Sequence, residues 1–255
     1  MQINDKPANK TVRLDQLMLE RKLVESREKA QALILSGNVK VNGETVPKAS
    51  KKFSPDMLIE VKEPLKYVSR GGLKLEEAVQ HFSIDIKDRV CLDIGSSTGG
   101  FTDCLLQSGA KKVYSTDVGK GLIDWKLRNN PKVVLLESIN FRYFDSELLK
   151  DEIEIITIDV SFISLDKILP KIKEVIKNKV KIIALVKPQF EAGRSQVKRG
   201  IITDEKVQLA TVEKIRSVAQ SLGFTYNGVV KSPIQGAKGN TEYLIYLTNY
   251  GNDNQ

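Results

Sequence analysis

The run Val90-Cys91-Leu92-Asp93-Ile94-Gly95-Ser96-Ser97-Thr98-Gly99-Gly100-Phe101-Thr102-Asp103 constrains this chain more than any other stretch. An apolar strand ends there in an acid and a cluster of small residues, and a helix begins at once. Glycines and hydroxyl residues let a ligand approach the backbone, and the unpaired N–H groups of the helix start face whatever is bound. The spacing departs from the dinucleotide fingerprint, because Ser97 stands where that pattern has its second glycine. The turn therefore suits a nucleotide-like ligand without a bulky pyrophosphate.

The chain beyond it alternates strands with helices. Strands are predicted at Lys112 to Thr116, Val133 to Leu136, Ile153 to Ile158 and Val180 to Val186, the last after a helix from Leu165 to about Lys177. A long helix starts at the capping residue Asp204 and closes at Gly223, and two strands follow, Phe224 to Val230 and Glu242 to Leu247. Near-continuous apolar strands alternating with helices argue for a mostly parallel sheet covered on both faces. Ligands of such sheets bind beyond the carboxyl ends of the strands, where Asp93, Asp117, Asp159 and Lys187 all fall. Asp117 follows the glycine turn by roughly twenty residues, the offset of an acid that binds ribose hydroxyls. Only Ser232 to Thr241 separates the last two strands, too short a segment for a helical crossover, so the final strand should be antiparallel. Its first residue, Glu242, then reaches the edge that carries Asp159 and Lys187.

Composition excludes several classes. The 255 residues carry a formal charge of +8, which favours a polyanionic partner. Met1 to Lys10 has no apolar signal region, and no apolar run approaches the roughly 20 residues that span a bilayer, so a cytoplasmic protein is expected. Cys91 and Cys104 read as reduced core residues. A lone histidine, His81, leaves no basis for a multi-histidine metal site, and it reads as a surface residue at a helix end.

The first sixty or so residues follow a different pattern. Helices are predicted from Arg13 to Arg21, with Leu14, Leu17 and Met18 on one face, and from the Ser26 cap, with Ala30, Leu33 and Ile34 buried and Gly37 as the stop. Val39 to Val41, the Asn42-Gly43 turn and Glu44 to Val46 form a hairpin, and Met57 to Val61 a last strand. The stretch RLDQLMLERKLVESREKAQALILSGNVKVNGETV resembles the small αL-type RNA-binding domain first known from a ribosomal small-subunit protein. That resemblance implies an RNA-binding face at Arg13, Arg21, Ser26, Arg27, Lys29, Gln31 and Lys40.

Domains are accordingly expected at 1–61 and 69–255, with a linker over 62–68 around Pro64. Helical spacing resumes from Leu73 to Phe82, with Lys74 off the apolar face. The segments SRGGLKL, DIGSSTGGFTD, DVSFISL, LVKPQFE and GNTEYL resemble the FtsJ-related ribose 2′-O-methyltransferases, and the pairing of both domains resembles the TlyA family, also known as haemolysin A-like. The resemblance implies an α/β, Rossmann-like, S-adenosylmethionine-dependent methyltransferase domain. Its sheet is seven-stranded and mostly parallel with the last strand antiparallel, joined to a small N-terminal α+β domain.

It further implies S-adenosyl-L-methionine as cofactor, ribosomal RNA in a ribosomal subunit as partner, and Lys74, Asp159, Lys187 and Glu242 as the catalytic tetrad. Asp93, Gly95, Ser97, Thr98, Gly99, Gly100 and Asp117 map to the cofactor site, with Glu137 and Asn140 near the adenine. The activated methyl group of a sulfonium requires alignment and proton removal but no metal, and Lys187 is the residue expected to accept or steer the 2′-OH proton. Phe190 to Ile202 lacks an apolar period and reads as a mobile loop that closes over RNA through Arg194 and Arg199.

Two alternatives compete: an RNA-binding or ribosome-assembly protein without catalytic activity, and a membrane-active haemolysin. The intact tetrad opposes the first. The lack of a membrane-active segment opposes the second.

Overall fold

The computed structural model describes residues 11–62, 65–176 and 178–249, apart from the side chain of Arg194. They belong to two compact units, one within Met1–Leu65 and one within Lys66–Gln255.

In the first unit, β1 (Val12–Arg13) leads into α1 (Leu14–Glu20), and α2 (Arg27–Leu35) follows with the Ser26 hydroxyl capping its first turn. β2 (Val39–Val41) and β3 (Glu44–Thr45) make the expected hairpin, with Asn42 and Gly43 both at positive φ. β4 (Lys52–Phe53) pairs with β1, which the sequence pattern did not suggest because each strand is two residues long. The last strand, β5 (Ile59–Val61), pairs with β2 and starts two residues later than expected. Met57 and Leu58 are instead occupied by the hairpin turn and by Arg21, whose guanidinium donates to the Met57 carbonyl at 2.7 Å. The core consists of Leu14, Leu17, Met18, Ala30, Leu33, Ile34 and the inward residues of the hairpin.

Lys66 to Val68, expected in the linker, are built into the second unit, while Glu63 and Pro64 lie outside the described residues. The Val68 N–H donates to Asp103, and the Tyr67 ring is buried where Gly72 has no Cβ to obstruct it. The unit then runs α3 (Gly71–His81), β6 (Val90–Ile94), α4 (Gly100–Gln107), β7 (Lys112–Asp117), the one-turn α5 (Trp125–Arg128) and β8 (Val133–Glu137). It continues with β9 (Ile155–Ile158), α6 (Leu169–Val175), β10 (Val180–Val186), α7 (Pro188–Glu191), α8 (Glu205–Ser221), β11 (Thr225–Lys231) and β12 (Tyr243–Asn249).

The seven strands lie in the order β11-β12-β10-β9-β6-β7-β8, and β12 runs antiparallel to both neighbours. One apolar layer packs α6 and α8 on one sheet face, and a second packs α3 and α4 on the other. Short 3₁₀ turns at Phe141–Tyr143 and Ser146–Leu148 replace a crossover helix between β8 and β9.

The expectation for Lys74 requires correction, and the segment after Lys187 is more structured than its pattern suggests. Lys74 is buried rather than lying off the packed face, because α3 is covered both by α4 and by the strands at the reversed edge. The segment after Lys187, expected from Phe190 to Ile202 as a loop without apolar period, carries short regular elements. It holds α7, a 3₁₀ turn at Arg194–Gln196 and a tight turn bridged from Lys198 to Ile201. Buried Asn240 fastens that turn, accepting from the Ile202 N–H at 3.1 Å and donating to the Gly200 carbonyl at 2.8 Å.

Candidate active site

Strand order determines what meets at the carboxyl edge. β6, β9, β10 and β12 are successive neighbours, and strands lie roughly 4.8 Å apart, so residues at their ends become neighbours in space. The β6–β9 ladder extends one step past the strands, with the Asp159 N–H donating to the Ile94 carbonyl at 2.9 Å. Val186 pairs with Tyr243, which brings Lys187 and Glu242 to the same edge.

Two ion pairs result. Lys187 Nζ lies 2.6 Å from Asp159 Oδ1 and also donates to Ser161 Oγ at 2.8 Å. Lys74 Nζ, from the first turns of α3, lies 2.5 Å from Glu242 Oε2. Both lysines and Glu242 are buried, and Asp159 keeps about a fifth of its side chain exposed. Ser161 escaped the sequence reading, although strand alternation two residues after Asp159 was a usable signal. Gly236 escaped it too. A Cβ there would stand 1.9 Å from Glu242 Oε1, so the bare backbone forms one wall around that carboxylate.

Two cavities open at this edge. The larger, about 510 Å³, has apolar walls from Ile94, Val118, Leu122, Ile139 and Phe141, with Asp117, Asn140 and Thr116 supplying polar groups. The smaller, about 290 Å³, is lined by Ser69, Arg70, Lys74, Ser96, Thr98 and the 234–237 loop. Gly95, Ser97 and Asp159 line both, so the cavities are contiguous at Asp159. Phe162, 90% exposed and at φ +63°, stands on the rim of the larger cavity with its ring 5.0 Å from that of Phe190.

The residues expected to bind a cofactor divide into two groups. Gly95, Ser97, Thr98, Gly100, Asp117 and Asn140 line one cavity or the other. Asp117 also shapes the turn, accepting from the Ser97 N–H at 2.8 Å and the Gly119 N–H at 2.7 Å.

Asp93, Gly99 and Glu137 line neither cavity. The Asp93 side chain is fully buried beneath the turn, where Thr102 (2.7 Å) and Thr157 (2.9 Å) donate to it, and burial pushes its pKa up to about 7 despite those donors. Gly99 makes room for Leu127 rather than for a ligand. Glu137 is paired with Arg128 at 2.6 Å and accepts from the Gly121 N–H, and the guanidinium holds its pKa below the ordinary value. It fastens the loop beside the larger cavity.

In the first unit, the buried Asp15 carboxylate gathers three of the expected RNA-facing residues. Arg13 binds it through two nitrogens at 3.0 and 2.8 Å, Arg27 at 3.0 Å and Gln31 at 2.9 Å. Ser26 is committed to its cap, accepting from the Lys29 N–H. Lys29 and Lys40 are exposed, as is Arg199 at the turn beyond α7, and the side chain of Arg194 lies outside the described residues.

A seven-stranded sheet with only its last strand reversed, and a deep cavity beyond the central strand ends, defines the class as a Rossmann-like methyltransferase. Residues 67–249 match the model of the FtsJ-like methyltransferases, and residues 12–59 match the S4 domain. The 16S/23S rRNA (cytidine-2'-O)-methyltransferase TlyA of Mycobacterium tuberculosis is 39% identical over 92% of this chain and 89% of its own. YqxC of Bacillus subtilis, provisionally named an rRNA methyltransferase, is 47% identical over 94% of this chain and 86% of its own. A solved Streptococcus thermophilus protein that carries a hemolysin name superposes with a TM-score of 0.72 at 41% identity, covering 95% of this chain and 90% of that one. The chain belongs to the FtsJ-like methyltransferases and, within them, to the TlyA and hemolysin-named family.

Proposed function

We propose that this protein transfers a methyl group from S-adenosyl-L-methionine to a ribose 2′-hydroxyl of ribosomal RNA. The observation that carries this reading is that Asp159, paired with buried Lys187, lies on the wall shared by the two cavities, while Lys74, paired with buried Glu242, lies on the wall of the smaller one.

The larger cavity suits an adenosyl group in size and chemistry. Its volume falls within the roughly 300–1,000 Å³ of small-molecule sites, its walls are apolar, and Asp117 offers acceptors to a ribose. Thr116 Oγ1, on the same wall, is buried without a hydrogen-bond partner among the described residues and can meet a ligand atom. When bound, the cofactor supplies a methyl group already activated on sulfur. The chain's own residues then have to align the acceptor and take away its proton.

A ribose hydroxyl entering the smaller cavity meets Lys74 and Asp159 directly, with Lys187 behind Asp159. Lys187 is ion-paired with Asp159 and donates to Ser161, and a further N–H of its ammonium can reach the hydroxyl oxygen. Methyl transfer, which breaks the S–C bond as the O–C bond forms, would make that oxygen strongly acidic, and the Asp159 carboxylate would take its proton, because the Lys187 ammonium is a donor with no lone pair to accept it. Glu242 fixes Lys74, whose charge favours the anionic ribose-phosphate backbone. Exposed Phe162 on the rim offers a ring face to an unstacked base.

The first unit supplies the RNA contacts. Arg13 and Arg27, splayed from one buried carboxylate, form a fixed fork suited to phosphates, with Lys29 and Lys40 beside them as mobile charges.

The test is transfer of labelled methyl to ribosomal subunits. Lys187→Ala is expected to lower turnover by at least about 10²-fold while cofactor affinity is kept. The modified ribose should resist alkaline cleavage, because its 2′-oxygen no longer carries the proton that reaction needs. Tight RNA binding without transfer by the unaltered protein would return the non-catalytic alternative. For the membrane-active alternative, no helix among the described residues is long and apolar enough to cross a membrane.

A further inference from the structure

Glu191 is a buried acid for which the chemistry above has no use. It ends α7, four residues after Lys187, and only about 2% of its side chain is exposed. Its carboxylate accepts from the Ser164 hydroxyl and, at 2.8 Å, from the Leu165 N–H. Lys214, from α8, donates to its backbone carbonyl at 2.9 Å and lies 3.7 Å from Oε2.

Those contacts join two particular loops. Ser164 and Leu165 belong to the loop that leaves β9 and carries Asp159 and Ser161, and Glu191 belongs to the segment that leaves β10 and carries Lys187. The α7 turn is stiff between them: the Phe190 N–H returns to the Lys187 carbonyl at 2.8 Å, and the Phe190 ring lies under the Lys187 ammonium at 5.9 Å. A shift of Glu191 relative to Ser164 must therefore appear as a shift of Lys187 relative to Asp159 and Ser161.

We infer that Glu191 is a positioning residue that sets the distance between Lys187 and Asp159 by clamping the two loops that carry them; this rests on the assignment of Lys187 and Asp159 to methyl transfer. Stability gives no reason for an acid at this place. Burial raises the Glu191 pKa above the ordinary value, so keeping the group charged at neutral pH opposes folding, and a neutral residue of the same shape removes that cost. Glutamine can reproduce the geometry, its carbonyl accepting from Leu165 and its amide donating to the Ser164 oxygen.

The experiment compares Glu191→Ala and Glu191→Gln in the full chain, alone and combined with Lys187→Ala. Glu191→Ala is expected to lower kcat at least tenfold with KM for RNA and cofactor unchanged, and Glu191→Gln to restore most of it without a lower melting temperature. In the Lys187→Ala background, Glu191→Ala should cost nothing further, because its route of action is gone. Equal losses in both backgrounds, or a glutamine variant as impaired as alanine, overturn the proposal. A second readout needs no activity: amine-reactive labelling of Lys187, followed by peptide mass spectrometry, should be several-fold faster in Glu191→Ala than in the unaltered chain or Glu191→Gln. If the unaltered protein transfers no methyl group but this labelling pattern appears, the clamp stands and the catalytic assignment falls. Unchanged labelling removes the clamp.

Discussion

Buried charges are placed here with little tolerance, and at the scale of single residues the consequences differ between the two units. Gly236 contributes no side chain to the site, yet a methyl group on its Cα would enter the space of the Glu242 carboxylate, 1.9 Å from Oε1. Gly236→Ala should push Glu242 away from Lys74 and lower turnover by about 10²-fold, the scale of a 1 Å misplacement, with RNA affinity unchanged in a binding assay. Asp15 acts differently. Hydrogen bonds first from Arg13 and then from Gln31 and Arg27 hold its pKa far below the usual carboxylate range, against the effect of burial. A depressed folded-state pKa stabilises above the unfolded value, and that contribution is lost as pH falls through the acid range below about 4. Asp15→Asn should lower the stability of the first unit by about 1–3 kcal/mol at neutral pH and flatten its acid dependence, as followed by amide exchange in α1 and α2. The types of these residues were legible in the sequence, but their partners were not. Lys74 looked exposed because helical spacing reports one packed face, and α3 has two. Asp93 looked like a ligand group because it ends a strand, whereas alternation turns its side chain down to Thr102 and Thr157.

Among elements, the β6–turn–α4 unit was readable because a strand, a small-residue turn and a helix start each leave a local mark. The reason for its glycines was not. Gly95 sits at φ +84°, and a Cβ there would stand 2.7 Å from the Asp159 carbonyl, so the residue permits the β6 and β9 loops to touch. Gly100 likewise allows α4 to meet the start of α3, where a Cβ would lie 2.9 Å from the Gly72 nitrogen. These are contacts between elements distant in sequence, which no local pattern records. Gly95→Ala should therefore cost about 1–3 kcal/mol of stability and weaken cofactor binding together with turnover, because Gly95 and Asp159 line both cavities. Calorimetric titration with the cofactor, beside a thermal melt, measures both. The local structure of the segment after Lys187 was hidden for the same reason. It has no apolar period, and its long-range hydrogen bonds come from Glu191 and Asn240, polar residues whose partners lie tens of residues away.

For the whole molecule, two compact units imply a division of labour that kinetics can separate. The first unit has a small core, exposed lysines and an arginine fork held by Asp15, to which the proposed function assigns affinity for a polyanion. The second unit holds both cavities and both lysine–carboxylate pairs, to which the proposed function assigns the chemistry. Binding energy from a part of the substrate remote from the reacting atoms lowers KM, and it raises kcat only if it is spent on alignment. Reversing Lys29 and Lys40 to Glu in the full chain should weaken RNA binding at every salt concentration. The slope of log affinity against log salt should fall by about one for each phosphate that the variant no longer neutralises. At saturating RNA, the same variant should turn over at the unaltered rate. Lys187→Ala should do the reverse, binding RNA and salt-titrating like the unaltered chain while turning over at least about 10²-fold more slowly. If Lys29 and Lys40 reversal lowered kcat instead, the RNA held by the first unit would have to help align the ribose, and the two units would act as one catalytic body rather than as anchor and reactor.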